Sequence, residues 1–353
     1  MKKQNLQTSR SSIDALKDHP WAAANAGARE IPTVGTVFAA VPQSPAQIAK
    51  RLKDAVRGTR LEEISPTDDT GMKSIFSVDV EDWFHILDVP SAPPISEWDS
   101  LPSCVEGNFM RMLDIFSEKQ VKITCFVLGW VAQRFPHLVK EAALRGHEIA
   151  SHGYSHRLTY QLSRKQFYED IFRTRTILED LIGTQVFGYR APSFSTTEWF
   201  FETVAEAGYC YDASVFPAVR EHGGNPNHVR EPHVMTLKNA VLFEFPTSVC
   251  DILGKAMCFA GGGYLRILPL PVIQHMSRKV IRSGNPVVFY IHPREIDPHH
   301  PRLPMNGRRR FKCYVNLDTT EFKLSHILDE FPVTTFVNYI ITHGQSMKVL
   351  DYA

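Results

Sequence analysis

A parallel α/β fold, with helices packed outside a sheet, is the class predicted for this chain of 353 residues. The first ground is that, from Lys73 onward, short apolar runs alternate with amphipathic helical segments, the order that βαβ units produce. The second is that run after run ends on an acid, an arginine or a histidine, as strands do when their carboxyl ends form a ligand-binding edge. The third is composition. A chain with 43% hydrophobic residues can fill a large core, and a net charge of +1 implies no strong field of either sign.

Residues 1–73 are rich in Ser, Ala, Pro and charge and lack strand patterns, which predicts an appended, partly disordered segment. Within it, Ile48, Leu52 and Val56 fall at four-residue spacing, so residues 45–61 are expected to form one amphipathic helix that docks on the domain or on a partner. The run from Ser74 through Val78 reads as a β-branched and aromatic strand. Further strands are expected over 123–128, 147–150, 186–189, 209–212, 286–291 and 333–337. Helices are expected over 138–145, stopped by Gly146, and over 166–181, 198–207 and 320–330. Residues 293–310, dense in proline, histidine and arginine, read as a long loop over the strand ends, with Arg308-Arg309-Arg310 a solvated run. Gly261-Gly262-Gly263 reads as a flexible turn, since no Lys-Ser or Lys-Thr follows to make a phosphate loop. Trp83, Phe84 and Trp130 are expected in the core.

The chemistry is concentrated at strand ends. His152 and His156, four residues apart just past the strand at 147–150, can offer two imidazole nitrogens to one divalent cation, although the same spacing also occurs on ordinary helix surfaces. Asp79, Glu81 and Asp82 place three acids within four positions between apolar flanks, a crowding that a cation or protons must offset. One acid with two neutral imidazoles leaves positions open for water and substrate, and a second acid stays available as a base. Arg190 follows the strand at 186–189 and can orient a carboxylate. Asp212 ends the strand beginning at Tyr209, and His292 ends the apolar strand beginning at Pro286.

In this order the segments resemble the polysaccharide deacetylases of carbohydrate esterase family 4, the NodB-type metal-dependent N-deacetylases. Ser77-Val78-Asp79 is similar to that family's first motif, and His152 and His156 stand where its metal-binding histidines stand. Tyr189-Arg190-Ala191-Pro192-Ser193-Phe194 is similar to its arginine-proline motif, Asp212-Ala213-Ser214 to the next, and Ile291-His292 to the last. The resemblance implies a distorted (β/α) barrel of about seven parallel strands, with residues 74–345 as the deacetylase catalytic domain, including a subgroup-specific segment from about 255. It implies Asp79 as catalytic base, His292 as general acid, Arg190 and Asp212 as further catalytic residues, and Tyr189 and Pro192 along the substrate groove. The family's adjacent aspartate pair is broken here into Asp79-Val80-Glu81-Asp82, so the metal-binding acid is Glu81 or Asp82.

Asp79-Val80-Glu81-Asp82-Trp83-Phe84, Gly261 to Arg266 and Tyr314 to Asp318 resemble a bacterial subgroup associated with exopolysaccharide production. That resemblance implies Tyr264 and Arg266 near the groove and association with polysaccharide assembly machinery. The implied cofactor is a divalent metal ion, zinc first, with cobalt, nickel or manganese accepted by the same donors. The implied substrate is an N-acetylated glycan. A backbone N–H near Tyr189 or Ala191 is expected to help hold an oxyanion, and Asp212 or Asp251 to raise the pKa of His292. Two other readings share these residues: hydrolysis of a small amide, as in allantoinase-like relatives, or glycan binding without catalysis. Nucleic acid is excluded as a partner by the short basic run. No apolar run approaches the ~18 residues of a membrane span, and the N-terminus lacks a secretion-signal pattern. Six cysteines without CxxC spacing read as free thiols in a reducing cytoplasm, with membrane association only through partners.

Overall fold

The computed structural model describes residues 44–61, 74–87, 89–220, 224–252 and 254–353. The expectation for residues 1–43 and 62–73 lies outside them. Seven strands form a continuous parallel run in the order β10-β1-β2-β3-β4-β5-β7. They are β1 (Ser74–Val80), β2 (Thr124–Val127), β3 (Glu148–Ser151), β4 (Gly188–Tyr189), β5 (Tyr211–Asp212), β7 (Val241–Glu244) and β10 (Val288–Ile291). Helices cover the sheet, so β1, β2 and β3 are buried along their whole length and read as continuous rather than alternating apolar runs. The carboxyl edge of this sheet carries Asp79, His152, Arg190, Asp212 and His292.

Helices α1 (Pro45–Val56), α2 (Val105–Glu118), α3 (Gly129–Arg134), α4 (Pro136–Leu144), α5 (Arg164–Ile182) and α6 (Phe200–Glu206) occupy the first half of the chain. The α1 helix docks on the domain itself: Ile48, Leu52 and Val56 enter a core with Phe187, Phe243 and Ile340. The α5 helix starts on a reciprocal Ser163–Gln166 capping box and stops at left-handed Gly183. In the second half, α7 (Gly262–Ile267), α8 (Leu270–Arg282), α9 (Gly307–Tyr314), α10 (Thr320–Glu330) and α11 (Phe336–His343) follow. Trp83, Phe84 and Trp130 pack together in the core with Trp98.

The structure departs from the expected elements at four places. The strand expected over 333–337 is only β11 (Val333–Thr334), because the Thr335 hydroxyl accepts from the Asn338 N–H and starts α11. The expected loop over 293–310 contains the start of α9, where the Asn306 side chain accepts from the Arg309 N–H. Gly261 to Gly263 begin a helix instead of a flexible turn, and glycine is required there because a Cβ on Gly261 would lie 2.2 Å from the Tyr290 ring. The sheet is also not wholly parallel. The strand β6 (His233–Thr236) runs antiparallel to β7 and parallel to β12 (Lys348–Asp351), while β8 (Val249–Ile252) and β9 (Lys255–Cys258) form a separate hairpin.

His147 precedes β3 with its ring against Phe116 and its Nδ1 accepting from the Ile123 N–H at 3.3 Å. Burial, reinforced by Lys122 and Arg145, lowers its pKa from the usual 6.5 to about 3. A depressed histidine contributes stability at pH values above its unfolded pKa, and that stability is lost as pH falls from 6.5 toward 3. Denaturant titrations at pH 7 and pH 5 should therefore show the pH-dependent loss shrinking by about 2 kcal/mol in His147→Gln relative to wild type.

Candidate active site

Asp79 stands at the end of β1 and is almost completely buried. Its Oδ1 accepts from Arg190 Nη1 at 2.6 Å, and the same Nη1 donates to Ser77 Oγ at 2.8 Å. Arg190, itself fully buried, donates Nε to the Ala213 carbonyl at 3.2 Å and lies 4.1 Å over the Phe126 ring. A buried cation of this kind needs a partner charge and aromatic faces to offset its desolvation, and here it receives both. The clamp leaves Asp79 Oδ2 facing His292 Nε2 at 3.9 Å.

Glu81, His152 and His156 present ligand atoms within 4.8 Å of one another, all three buried. His152 Nδ1 donates to the Arg190 carbonyl at 2.8 Å, which leaves Nε2 as the unprotonated nitrogen, and burial lowers its pKa to about 4 so that the ring is neutral at pH 7. Glu81 Oε2 and His156 Nε2 are 2.7 Å apart yet lack hydrogen-bond alignment, and Oε2 has no hydrogen-bond partner among the described residues. Burial would raise the Glu81 carboxyl, but the charges of His156 and His292 outweigh it and hold the group well below the carboxylate range. Two imidazoles and a carboxylate converging in this way fit a divalent cation such as zinc. The loop bearing the histidines is shaped by Asp170 of α5, which accepts from the Tyr154 N–H at 2.7 Å and the Ser155 N–H at 3.1 Å. Within it His156 adopts a left-handed φ of 49°, and a Cβ on Gly153 would lie 2.9 Å from Asp170 Oδ2.

Of the two acids left open by the sequence, Asp82 lies apart from the triad. Its oxygens accept from the Trp83 N–H at 2.8 Å, from Ser103 Oγ and from the Cys104 N–H at 3.1 Å, capping the turn Trp83–His85. A side chain committed to those donors is a cap, not a ligand.

His292, at the end of β10, donates Nδ1 to Glu295 Oε2 at 2.8 Å, and Glu295 Oε1 in turn accepts from Arg266 Nε at 2.7 Å. Burial works against the imidazolium, but Glu295 and Glu81 outweigh it and raise the His292 pKa above 6.5. The neighbouring charge is therefore Glu295, not Asp212 or Asp251. Asp251 pairs with Arg230 at the surface. Asp212 accepts from the Ser214 N–H and hydroxyl and lies opposite Glu244 across β5 and β7; burial pushes it up to about 6.

Asp79, Glu81, His152, His156 and His292 line a cavity of about 490 Å³ that also touches His85, Ser193, Tyr264, Tyr290 and a basic wall. Tyr264 meets the cavity as expected of a groove residue. Tyr189 does not; its ring is packed among Phe167, Phe200 and Tyr209. Pro192 is buried and opens the turn that brings Ser193 and Phe194 to the cavity. Arg266 lines the cavity, yet its guanidinium is spent on Glu295 and on the Lys312, Cys313 and Val315 carbonyls, so it is no free partner for an acidic sugar. The Ala191 N–H donates to Ser214 Oγ at 2.8 Å and is likewise not a free oxyanion donor.

Residues 96–211 match the family model for polysaccharide deacetylase. The chain carries a polysaccharide deacetylase domain. Residues 213–340, which supply His292, Glu295 and Arg266, match a domain of unknown function, DUF3473. A peptidoglycan-N-acetylglucosamine deacetylase of Bacillus cereus is 37% identical over 73 residues, 21% of this chain and 26% of that protein. A peptidoglycan deacetylase of Helicobacter pylori is 29% identical over 110 residues, 31% of this chain and 38% of that protein. The chain thus spans less than half the length of these curated relatives. A Mycobacterium smegmatis structure assigned as a polysaccharide deacetylase aligns with a TM-score of 0.54 and 20% identity, over 81% of this chain and 96% of the other. An allantoinase aligns at 0.53 with 16% identity, over 90% and 98%. Both likenesses concern the fold, which serves either chemistry.

Sequence reading gave Ser77 no role of its own and missed Glu295 and Asp170. Of these only Glu295 carries a local signal, its position three residues after His292, whose backbone N–H its Oε2 accepts at 3.0 Å. In zinc titrations of the purified protein, Glu81→Gln and His152→Ala should each weaken binding by about tenfold or more, whereas Asp82→Ala should keep the affinity and lower stability by about 1–3 kcal/mol.

Proposed function

We propose that this polysaccharide deacetylase is a metal-dependent hydrolase that removes N-acetyl groups from the amino sugars of a polysaccharide or its precursor, in exopolysaccharide biosynthesis. The observation that carries this reading is the meeting in one cavity of an arginine-clamped carboxylate, a carboxylate-backed histidine and the Glu81–His152–His156 triad. A divalent cation, zinc first, would supply a water of lowered pKa and polarise the acetyl carbonyl.

The chain's own residues account for the proton movements. Arg190 holds Asp79 Oδ1, so Oδ2 is the atom that takes the proton from the attacking water. His292 Nε2, 3.9 Å away, gives a proton to the departing sugar nitrogen as the carbon–nitrogen bond breaks, yielding acetate and a free amine. Glu295 fixes the His292 ring through Nδ1 and keeps it protonated while Asp79 is ionised. Asp212 does not line the cavity and acts from behind, through Ser214 and the Ala191 backbone it anchors. His85 lines the same cavity and accepts the Asp82 N–H at Nδ1, which leaves a proton on Nε2 and suits it to donate rather than to bind metal. The exopolysaccharide reading is supported by the likeness of the segments Gly261 to Arg266 and Tyr314 to Asp318 to that subgroup, and residues of the first segment line the cavity together with His292.

Acetate release from N-acetylated glycan oligomers should be lost on metal stripping, return with zinc, and stay absent in Asp79→Asn; release by the stripped enzyme or by that variant would overturn the assignment. Because Glu295 raises the His292 pKa, Glu295→Gln should lower it and move the alkaline limb of the kcat/KM profile to lower pH, read from pH–rate profiles of the two proteins.

A further inference from the structure

The proton movements of deacetylation leave one imidazole in the cavity without a task. His85 lines it beside Asp79, Glu81, His152, His156 and His292, and only 2% of its surface is exposed. Its ring centroid lies 5.8 Å from that of His156, which in turn stands 5.2 Å from that of His152, so His85 adjoins the candidate metal ligands. It is nevertheless not one of the three groups whose ligand atoms converge.

The ring is fixed in both tautomer and place. Nδ1 accepts the Asp82 N–H at 2.9 Å, and a nitrogen that accepts carries no proton, so the neutral ring holds its proton on Nε2. That bond is half of the reciprocal capping box that starts the turn Trp83–His85. Aromatic rings enclose the imidazole, with the centroids of Trp98, Phe84 and Trp130 at 4.2, 4.5 and 5.4 Å. They offer no acceptor oxygen, and Nε2 is buried with no hydrogen-bond partner among the described residues. Burial, reinforced by His156, also holds the pKa well below 6.5, in keeping with a ring that is neutral at pH 7.

An N–H withdrawn from water without an acceptor is a cost to the folded state, and an oxygen that arrives with the substrate relieves it. Acetamide hydrolysis supplies such an oxygen. As water adds to the carbonyl carbon, the carbonyl oxygen takes on negative charge, and a preorganised donor holds it more strongly than it held the neutral carbonyl. The backbone N–H expected for this task, that of Ala191, is spent on Ser214 Oγ. With Nδ1 turned to the Asp82 backbone, the edge of the His85 ring left to meet the cavity is the one that carries Nε2.

We propose that His85 is a further catalytic residue, whose Nε2–H donates a hydrogen bond to the acetyl oxygen as it becomes the oxyanion of the tetrahedral intermediate. The proton stays on Nε2 throughout, since the contact is a donation and not a transfer. The assignment rests on the deacetylase reading and adds to it a protein group that answers the developing charge. Asp79 and His292 remain the groups that move protons.

Two substitutions separate the donor from the cap. In His85→Asn the shorter side chain still reaches the Asp82 N–H but loses the Nε2 donor, whereas His85→Gln carries an amide N–H where Nε2 stands. With zinc-loaded protein and N-acetylglucosamine oligomers, His85→Asn should lower kcat on the order of a hundredfold with KM within about twofold, and His85→Gln should keep more of the wild-type kcat. Zinc titrations should give both variants the wild-type affinity. A kcat of His85→Asn close to wild type, a loss that falls on KM instead, or a loss matched by weaker zinc binding would overturn the proposal. His85→Phe, which keeps a ring against Trp98, takes the place of His85→Asn if that variant does not fold. If wild type releases no acetate, the deacetylase reading falls, and calorimetry with a tetrahedral anionic mimic, N-(methylphosphonyl)glucosamine, decides the donor site. Binding weakened by about tenfold in His85→Asn sustains it alone, and binding that is equal or absent removes it.

Discussion

The buried Arg190–Asp79 pair is the constraint on which the rest of the site depends. A guanidinium with no exposed surface cannot be left uncompensated in a protein interior, and its desolvation is offset by one carboxylate, a carbonyl, a hydroxyl and the Phe126 face. Because Arg190 rises from β4 and Asp79 from β1, the pair spans the strands between them and ties opposite parts of the sheet's carboxyl edge. It also decides which oxygen of Asp79 is available. Through its backbone carbonyl, the same residue sets the tautomer of His152, so one arginine orders both the proposed base and a candidate metal ligand.

A common device recurs around the cavity: each reactive atom is made available by occupying its neighbour. His152 is bound at Nδ1, His292 at Nδ1, His85 at Nδ1 and Asp79 at Oδ1. Behind His292 the device is extended one layer further, since Glu295 is itself held by Arg266, whose remaining donors satisfy the carbonyls at the end of α9. Such backing removes rotamer freedom before substrate arrives, which is what preorganised catalysis requires. It also explains why Arg266, although it lines the cavity, acts as a support for Glu295.

The opposite electrostatic choice is made at Asp212 and Glu244. The two carboxyls face each other across neighbouring strands in the interior, and burial raises both, Glu244 well above its ordinary value. Two such groups cannot both ionise at close range, so the pair retains a proton. Its neutral member adds no charge beside Arg190, and the ionised one anchors Ser214 and hence the backbone after Arg190.

The sequence by itself determined the parallel α/β class, because burial on both faces of a sheet demands continuous apolar strands, and it located Asp79, His152, His156, Arg190 and His292, because strand ends are where polar groups must emerge. It also carried a docked α1 in the spacing of Ile48, Leu52 and Val56. It misjudged 333–337 and 293–310 because single side chains, Thr335 and Asn306, cap helices there and outweigh the local pattern. Tertiary structure alone chose Glu81 over Asp82 as the acid that meets the histidines, since adjacent acids diverge according to donors such as Ser103 and Cys104 that lie far along the chain. It alone brought Glu295 and Arg266 behind His292, withdrew Tyr189 into the core, and turned an arginine-rich stretch into the wall of a cavity. The physical reason is the same in each case: a charge's partner is chosen by proximity in space, and proximity across distant strands is not written in spacing along the chain.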